Sequence, residues 1–411
     1  MNTNTKGGSL PLVPARATGR WPFARSSTTP STGAGPRNAP GLIPAQAAMW
    51  MCAALFLCVN LPLDAADGPS FSGLLDVKTG GGMTDTGEAL SGFDVYAALR
   101  LQERVKDTVT FYTAFNVQAA SGMFAPVADG QVALFETERL YLRWAEDTWG
   151  LDAGLMPLHF GYGQVFAPSD FLIKKNPAVL DARPRGIIGA AFTQYPHDNV
   201  KLTEFAVFPP GVLPSGWEDH HFGAAFESHF SAASFQALYA FQTAAGSGLY
   251  DEGVHYFGGS LKLEAEIGLL ADTLYRYDPV GTFDHEGLAL SAGADYTFGK
   301  LYVLAEYLYN GKNSASHRTA GGMFTTRSLL AATFLYTLSD LTNITVQGLW
   351  SLDDRSLLPS LVFSHDLMQG FTLTVSAQVP LDLADSDILG ELGPEAMGQR
   401  FSLSAGVRLR I

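Results

Sequence analysis

One stretch, residues 140–186, constrains the fold more than any other. Residues 140–144 (Leu-Tyr-Leu-Arg-Trp) alternate apolar and polar side chains, and residues 151–155 (Leu-Asp-Ala-Gly-Leu) alternate again after a tight turn from Glu146 to Thr148. Alternation of this kind separates the two classes of side chain onto opposite faces of a β-strand. A long irregular segment with prolines and bases follows at 162–185. Two amphipathic strands with a short turn at one end and a long charged loop at the other form one unit of a membrane β-barrel.

The same unit repeats along the chain, with connections that are alternately short and long. This pattern predicts an all-β fold, a transmembrane antiparallel up-and-down β-barrel of 18 strands, or of 16 if either 71–78 or the 256–277 region is not as assigned. A soluble β-sandwich array also alternates and stays as a second interpretation. The predicted strands span 71–78, 93–102, 109–118, 140–144, 151–155, 187–195, 200–208, 222–230, 235–241, 256–263, 269–277, 288–298, 301–309, 329–338, 344–350, 357–365, 371–381 and 401–411.

The N-terminal region is predicted to lie outside the barrel. Residues 1–48 are rich in Pro, Gly, Ser and Thr without periodicity, which predicts either a disordered extension or a mis-chosen start codon. Residues 49–66 have the short apolar core and the small residues of a cleavable signal peptide, and both cysteines, Cys52 and Cys58, lie within it. The barrel is therefore assigned to 67–411, a segment without cysteine, disulfides or thiolate metal sites.

The charge balance limits the partners. Residues 1–65 hold five bases and one acid, so 21 bases and 39 acids remain in the rest of the chain. A strongly acidic chain is a poor partner for nucleic acid, whose phosphates select basic surfaces. The residues imply no cofactor and no metal, because adjacent strand residues such as His220 and His221 point to opposite faces.

The last strand carries a pattern of its own. Ser404, Gly406, Leu409 and Ile411 resemble the terminal signal that the outer-membrane assembly machinery reads, although such signals mostly end in Phe or Tyr. With this strand, the chain from residue 67 resembles a Gram-negative-type outer-membrane porin. The segment 154–170 also resembles a strand-and-loop pattern of porin-like proteins, in spirochaetes among others.

The resemblance implies a location and a function. A chain of this kind is exported through a cleaved signal peptide to the bacterial outer membrane, where it contacts lipid and the barrel assembly machinery. It lets small polar solutes diffuse through a water-filled lumen. The third outer loop of general porins folds inward, which here predicts a pore narrowed by loop 162–185. The loop contains apolar residues that could anchor it inside the barrel: Val165, Phe166, Phe171, Leu172 and Ile173. The predicted constriction and the adjacent strand contribute one acid, one aromatic residue and six bases: Asp170, Tyr141, Lys174, Lys175, Arg183, Arg185, Arg139 and Arg143. These bases predict a local preference for anions.

Two other functions are kept as alternatives. A barrel transporter of apolar solutes, of the long-chain fatty acid transporter type, would need an apolar lumen and an N-terminal plug. A surface adhesin or structural barrel would carry its function in the outer loops. An enzyme is not predicted, because no Gly-x-Ser-x-Gly elbow or similar array of nucleophile, base and orienting group is present. The sequence leaves open the solute, the ion selectivity and whether three barrels form a homotrimer.

Overall fold

The computed structural model describes residues 69–124, 132–173, 186–208, 220–243, 253–277, 287–311, 326–383 and 390–411. Nearly all of them are β-structure. The strands are β1 Ser70–Thr84, β2 Ala89–Lys106, β3 Val109–Gly122, β4 Val132–Ala145, β5 Trp149–Met156, β6 Ile187–His197, β7 Val200–Phe208, β8 His221–Phe230, β9 Ala233–Gln242, β10 Val254–Glu264, β11 Gly268–Tyr277, β12 Leu288–Phe298, β13 Leu301–Asn310, β14 Ser328–Ser339, β15 Thr342–Ser351, β16 Ser356–Met368, β17 Phe371–Gln378, β18 Leu381–Asp382 and β19 Gln399–Arg410. One short helix, α1, spans Pro394–Met397.

The strands form one closed antiparallel barrel. Each long strand pairs with its neighbours in the chain, and β1 pairs with β19 to close the ring. The two-residue β18 pairs with β16 and continues β17, so the wall has 18 strands, as predicted. Closure gives every inner backbone group a partner, which a sheet crossing a membrane requires. Among the described residues, no helix is long and apolar enough to cross a membrane.

The two ends of the barrel differ in their connections. At the end that carries Ser70 and Arg410, the turn end, every connection has two or three residues. At the other end, the loop end, most connections are much longer. Two loop-end connections, 85–88 and 352–355, are short, so the predicted alternation of short and long holds with two exceptions.

Several strands extend beyond the predicted limits. β1 and β2 reach toward each other through 79–92, because the run Gly80 to Gly82 continues the ladder with Leu90 to Gly92. Glycine is a weak strand former, so the predicted strand 71–78 ended before the observed one. The predicted strand 371–381 is interrupted instead. Its break lies at Pro380, which has no N–H to donate to the ladder.

The outward faces of the strands are apolar. Phe257 of β10 and Leu361 of β16 are 49% and 46% exposed on this face. Tyrosines and tryptophans lie near the strand ends, as in Tyr307 and Trp350. An apolar outer wall with aromatic residues toward its rims is the surface that a transmembrane barrel presents to lipid.

The inner faces differ from the prediction in one respect. The alternation predicted a polar face toward a wet lumen with no need for a hydrophobic core. The barrel instead encloses two buried apolar clusters, because parts of β5–β11 and β13–β16 turn apolar residues inward near the loop end. Inward residues such as Leu274 and Leu308 are fully buried. They are covered by residues of the connections, not by the other side of the wall.

The seam between β1 and β19 contains a glycine that the assembly-signal pattern singled out. Gly406 faces inward opposite Lys78, and a Cβ there would lie 2.7 Å from the Lys78 Cγ atom. The neighbouring Asp76 carboxylate binds Arg408 across this seam at 2.7 Å and Lys78 of its own strand at 3.4 Å. Gly406 therefore leaves the space that this ion-paired cluster occupies.

We expect Gly406→Leu to displace Lys78 and weaken the seam. The free energy of unfolding should fall by about 1–3 kcal/mol, the usual cost of overpacking a tight site. Urea unfolding of the purified barrel in detergent measures this change. Ala405→Leu is the matched control, since Ala405 is exposed on the outward face of the same strand. Equal losses for both variants would contradict this account of Gly406.

Candidate functional site

The connection between β5 and β6 enters the barrel. Its described part, residues 157–173, is called the inner loop below. Gln164, Val165 and Phe166 donate their backbone N–H groups to the carboxylate of Glu306 on β13, at 2.8 to 3.1 Å. Glu306 is 1% exposed and lies on the inward face of its strand. One carboxylate thus satisfies three consecutive amides that would otherwise be buried without partners.

A second carboxylate holds the inner loop in the same way. Asp272 of β11 accepts hydrogen bonds from the Ser169 amide at 2.8 Å, the Ser169 hydroxyl at 2.9 Å and the Ser260 hydroxyl at 2.8 Å. The Tyr162 amide adds a bond at 3.3 Å. The inner loop therefore follows the wall from β10 to β13.

Gly161 makes this approach feasible. Its φ is +86°, and a Cβ there would lie 2.1 Å from Asp272 Oδ2 and 2.4 Å from Ser169 Oγ. Its amide donates to the Gln236 side chain of β9 at 2.6 Å. No L side chain fits this position without moving the loop.

We expect Gly161→Val to detach the inner loop from Asp272, because it adds both backbone strain and a direct collision. Limited proteolysis of the folded barrel should then cut within residues 157–173, whereas the wild type should resist cleavage there because this segment is held against the wall. Gly87→Val is the matched control. Gly87 has a φ of +90° but nothing within 4 Å of a Cβ, so it adds the strain without the collision. Unchanged protection in Gly161→Val would contradict the proposed role.

The apolar side chains of the inner loop fill part of the lumen. Phe160 packs on Phe205 of β7 with ring centres 5.2 Å apart, and Phe171 stacks on Tyr256 of β10 at 4.5 Å. Phe166 belongs to the second cluster, with inward leucines of β13–β16 and Leu392 of the β18–β19 connection. Phe166 and Phe171 were predicted as apolar anchors of the loop, and both are buried.

The predicted site residue Asp170 lies inside the loop. It is 5% exposed, and its carboxylate is 3.1 Å from His159 Nδ1 and accepts the Phe160 amide at 3.3 Å. Its charge is therefore directed at neighbouring loop residues and not at open space in the lumen. The His159 ring is partly exposed on the other side.

The three predicted site residues of β4 share the inward face, as expected. Tyr141 stacks on Tyr112 of β3 at 4.7 Å, and the Arg143 guanidinium lies 5.6 Å from the Tyr112 ring centre. Arg143 also forms a two-bond ion pair with Asp152 of β5, at 2.8 and 2.7 Å. Its charge is compensated, whereas no ion-pair partner of Arg139 lies within the described ranges.

The wall that the inner loop leaves uncovered, from β17 through β19 to β4, is polar on its inward face. Arg100 of β2 and Arg139 of β4 lie directly opposite Ala114 of the strand between them. The small alanine leaves room around both guanidinium groups. Of the inward acids of this wall, Asp76 forms an ion pair with Arg408, and Glu138 accepts hydrogen bonds from Asn116 at 3.1 Å and from Tyr96. Glu136 lies opposite Asn116 and is exposed. The inward bases of this wall are Lys78, Arg100, Arg104, Arg139, Arg143, Arg408 and Arg410.

A cavity of about 330 Å³ lies on the turn-end side of the inner loop. Its lining includes the Arg143–Asp152 pair, His159 and a second ion pair, Lys201 with Glu227 at 3.1 Å. The lining therefore carries charges of both signs that are paired with each other. Among the described residues, no group of three or more His, Cys, Asp or Glu side chains could hold a metal ion.

The connection from β18 to β19 contributes to the loop end of the lumen. Leu392 is 1% exposed in the second apolar cluster, and its amide donates to the Ser356 hydroxyl at 3.0 Å. Asp354 of the β15–β16 turn accepts the Glu391 amide at 2.7 Å. Burial alone would raise the pKa of Asp354, but bonds from Glu391 and Ser356 hold it below its ordinary value.

Four predicted site residues, Lys174, Lys175, Arg183 and Arg185, lie outside the described residues. The assembly-signal residues are described. Ser404 contacts the Ser376 hydroxyl at 2.6 Å, and Ile411 exchanges two backbone bonds with Gly73 at 2.8 and 2.9 Å. Sequence reasoning did not single out Asp272 and Glu306. Their only signal in the sequence was an acidic residue with leucines two positions before and after it, on the same face of the strand.

Comparison with known proteins gives a likeness of fold. No protein-family model matches the chain, and no curated protein sequence matches it. OccAB4 of Acinetobacter baumannii has a TM-score of 0.55 at 13% identity, over 85% of this chain and 100% of that chain. A BenF-like porin from Pseudomonas fluorescens Pf-5 has a TM-score of 0.53 at 8% identity, over 84% and 98%.

A further solved structure is Wzi, an outer-membrane protein of Escherichia coli involved in group 1 capsule assembly and described as a carbohydrate-binding β-barrel. Its TM-score is 0.55 at 13% identity, over 87% of this chain and 88% of that chain. The fold is therefore that of Gram-negative outer-membrane porins and related barrels.

Proposed function

We propose that this chain is a bacterial outer-membrane channel through which small polar solutes diffuse passively, and that the inner loop narrows its lumen. A water-filled lumen removes the cost of moving a polar solute through hydrocarbon. One observation carries the proposal: residues 157–173 lie against the inward faces of β9–β13, with backbone amides bound to Asp272 and Glu306. The segment occupies one side of the lumen, and the polar wall from β17 to β4 faces it.

The charge of that polar wall supports a bias toward anions. Arg100 and Arg139 have no ion-pair partner within the described ranges, while Asp76 and Asp152 form ion pairs with Arg408 and Arg143. In a narrow aqueous passage with low-dielectric walls, uncompensated positive charge concentrates anions. The bases at 174, 175, 183 and 185 would add to this bias, as the sequence predicts.

The proposal includes the setting of the channel. The apolar outer wall contacts outer-membrane lipid, and the terminal strand β19 is read by the barrel assembly machinery. A cleaved signal peptide at 49–66 exports the chain, and residues 1–48 form a disordered extension. The remaining chain, 67–411, is the barrel, and a homotrimer is one assembly open to it.

A binding barrel is the second candidate. The two apolar clusters and the inner loop fill much of the loop end of the lumen, and Wzi is a carbohydrate-binding barrel of the same fold. Such a protein would bind solutes at its surface without letting them pass. An apolar-solute transporter is less favoured, because the uncovered wall from β17 to β4 is polar and carries arginines.

Osmotic swelling of proteoliposomes separates these functions. Vesicles containing the folded barrel should swell in isosmotic monosaccharide, at a rate that falls steeply for a trisaccharide. Vesicles with heat-denatured protein are the control for leakage. The electrophoretic shift on heating shows that the protein is folded. If vesicles with folded protein do not swell in any solute, the diffusion proposal is contradicted and the binding barrel is favoured.

A further inference from the structure

The outward face of the barrel carries one acid at an unexpected depth. Glu204 belongs to β7, Val200–Phe208, and lies four residues from either end of that strand. Thr203, Phe205 and Val207 are 5%, 5% and 1% exposed on the inward face, so the alternation directs Glu204 outward. Its side chain is exposed. A strand that crosses a membrane places such a midpoint near the centre of the hydrocarbon layer.

No other outward-facing charged residue lies at this depth in the described strands. Among the outward positions of the described strands, Glu204 is the only Asp, Glu, Lys or Arg more than three residues from a strand end. Glu103 is the nearest case, and it lies three residues from the end of β2, at the turn-end rim. Within the described residues Glu204 has neither a hydrogen bond nor an ion pair. An unpartnered carboxyl facing lipid is costly and therefore points to a contact.

The surroundings of Glu204 permit a close approach. Ala224 of β8 lies directly opposite Glu204 on one side, and Phe192 of β6 on the other. Ala206 and its partner Ala190 lie next to them toward the loop end. The alanines form a strip that is flanked by Phe192 and by Phe222, which lies opposite Ala206. Small residues at membrane interfaces let two backbones approach closely.

We propose that Glu204 and these alanines form a two-fold contact between two copies of this chain, in which the two Glu204 carboxyl groups hydrogen-bond to each other. No outward base lies at this depth elsewhere in the described wall, so a head-to-tail contact would leave Glu204 without an ion pair. A two-fold arrangement places a second carboxyl group opposite Glu204, because the same patch faces itself. Two carboxyl groups that share a proton satisfy each other.

Two substitutions at position 204 test this contact. Glu204→Gln keeps a donor and an acceptor, since two amides also pair, and should keep the dimer. Glu204→Leu keeps the volume and removes the hydrogen bonds, and apolar side chains do not associate in lipid. The dimer dissociation constant of Glu204→Leu should rise at least ten-fold, which corresponds to about 1.4 kcal/mol.

A matched pair of alanine variants tests the geometry. Ala206→Phe should block the approach and give monomers, whereas Ala332→Phe, on the outward face of β14 across the barrel, should leave the dimer intact. Both variants add the same side chain to an outward alanine, so they control for effects on folding. The electrophoretic shift on heating shows that each variant is folded.

The measurement is the mass of the full barrel in nanodiscs or in mild detergent, by light scattering over a range of protein-to-lipid ratios. Dimers for the wild type, Glu204→Gln and Ala332→Phe, with monomers for Glu204→Leu and Ala206→Phe, are the expected result. A wild type that stays monomeric at every ratio would overturn the proposal. So would a trimer, or a dimer that Glu204→Leu and Ala206→Phe leave unchanged.

Discussion

Replacing Glu306 by alanine should raise the single-channel conductance of the barrel roughly two-fold or more, because conductance follows the width of the passage and Glu306 holds the inner loop to the wall. The substitution leaves the amides of Gln164, Val165 and Phe166 without their acceptor. Each buried donor that loses its partner costs about 1–3 kcal/mol. Detachment of the loop into water relieves that cost, so the variant should populate a wider pore and noisier open states.

The control for this experiment is Asp295→Ala. Asp295 is an inward acid of the neighbouring strand β12, but it contacts the inner loop only through the Gln164 side chain, at 3.3 Å. Its loss removes the same charge without releasing backbone amides, and the conductance should stay close to that of the wild type. A Glu306→Ala barrel with wild-type conductance, or equal effects of both variants, would contradict the role given to Glu306.

The double variant Arg100→Gln, Arg139→Gln should lower the anion-to-cation permeability ratio by roughly three- to ten-fold, because loss of a unit charge several ångströms from the ion path changes an ion's energy by about 1 kcal/mol. Both side chains lie on the uncovered polar wall and flank Ala114. The ratio is measured as the reversal potential across a planar bilayer under a salt gradient. High ionic strength should weaken the effect, since salt screens such charges.

Lys300→Gln is the matched control, because Lys300 lies in the turn between β12 and β13 and bonds to the Leu338 carbonyl. It removes one positive charge outside the lumen and should leave the reversal potential unchanged. If the double variant keeps the wild-type reversal potential, Arg100 and Arg139 do not line the ion path. The anion bias would then rest on the bases at 174, 175, 183 and 185.

Most of the barrel could be predicted because its signal is local. A period of two within each strand and the length of each connection suffice to count strands and to assign their faces. Arg139, Tyr141 and Arg143 were therefore placed on the correct face of β4. The errors arose where local chemistry is ambiguous, as at Gly80 to Gly82, where a strand continues through glycines, and at Pro380, where one is interrupted.

The attachment of the inner loop was not predictable in the same way. Glu306 and the Gln164 amide are 142 residues apart, and the local sequence around either one does not indicate its partner. The apolar residues Val165, Phe166 and Phe171 indicated that the loop needed an apolar contact. They did not indicate which inward leucines would supply it, because inward leucines on β13–β16 break the expected polar face.

The role of Asp170 was also not predictable from the sequence, because it depends on how the loop folds. In sequence it is an acid in a long charged loop, which is typical of a residue that faces a pore. In the folded chain it is buried beside His159 and Phe160 and stabilises the loop itself. Because the carboxylate is buried, it accepts hydrogen bonds from the loop and does not face ions in the lumen.

The most direct test of the central claim is a single-channel recording of the folded wild-type barrel in a planar bilayer. The account predicts discrete, reproducible conductance steps and a reversal potential that indicates preference for anions. Folded barrels that insert into the bilayer and give no steps would contradict it, and would leave a closed binding barrel as the better description of this fold.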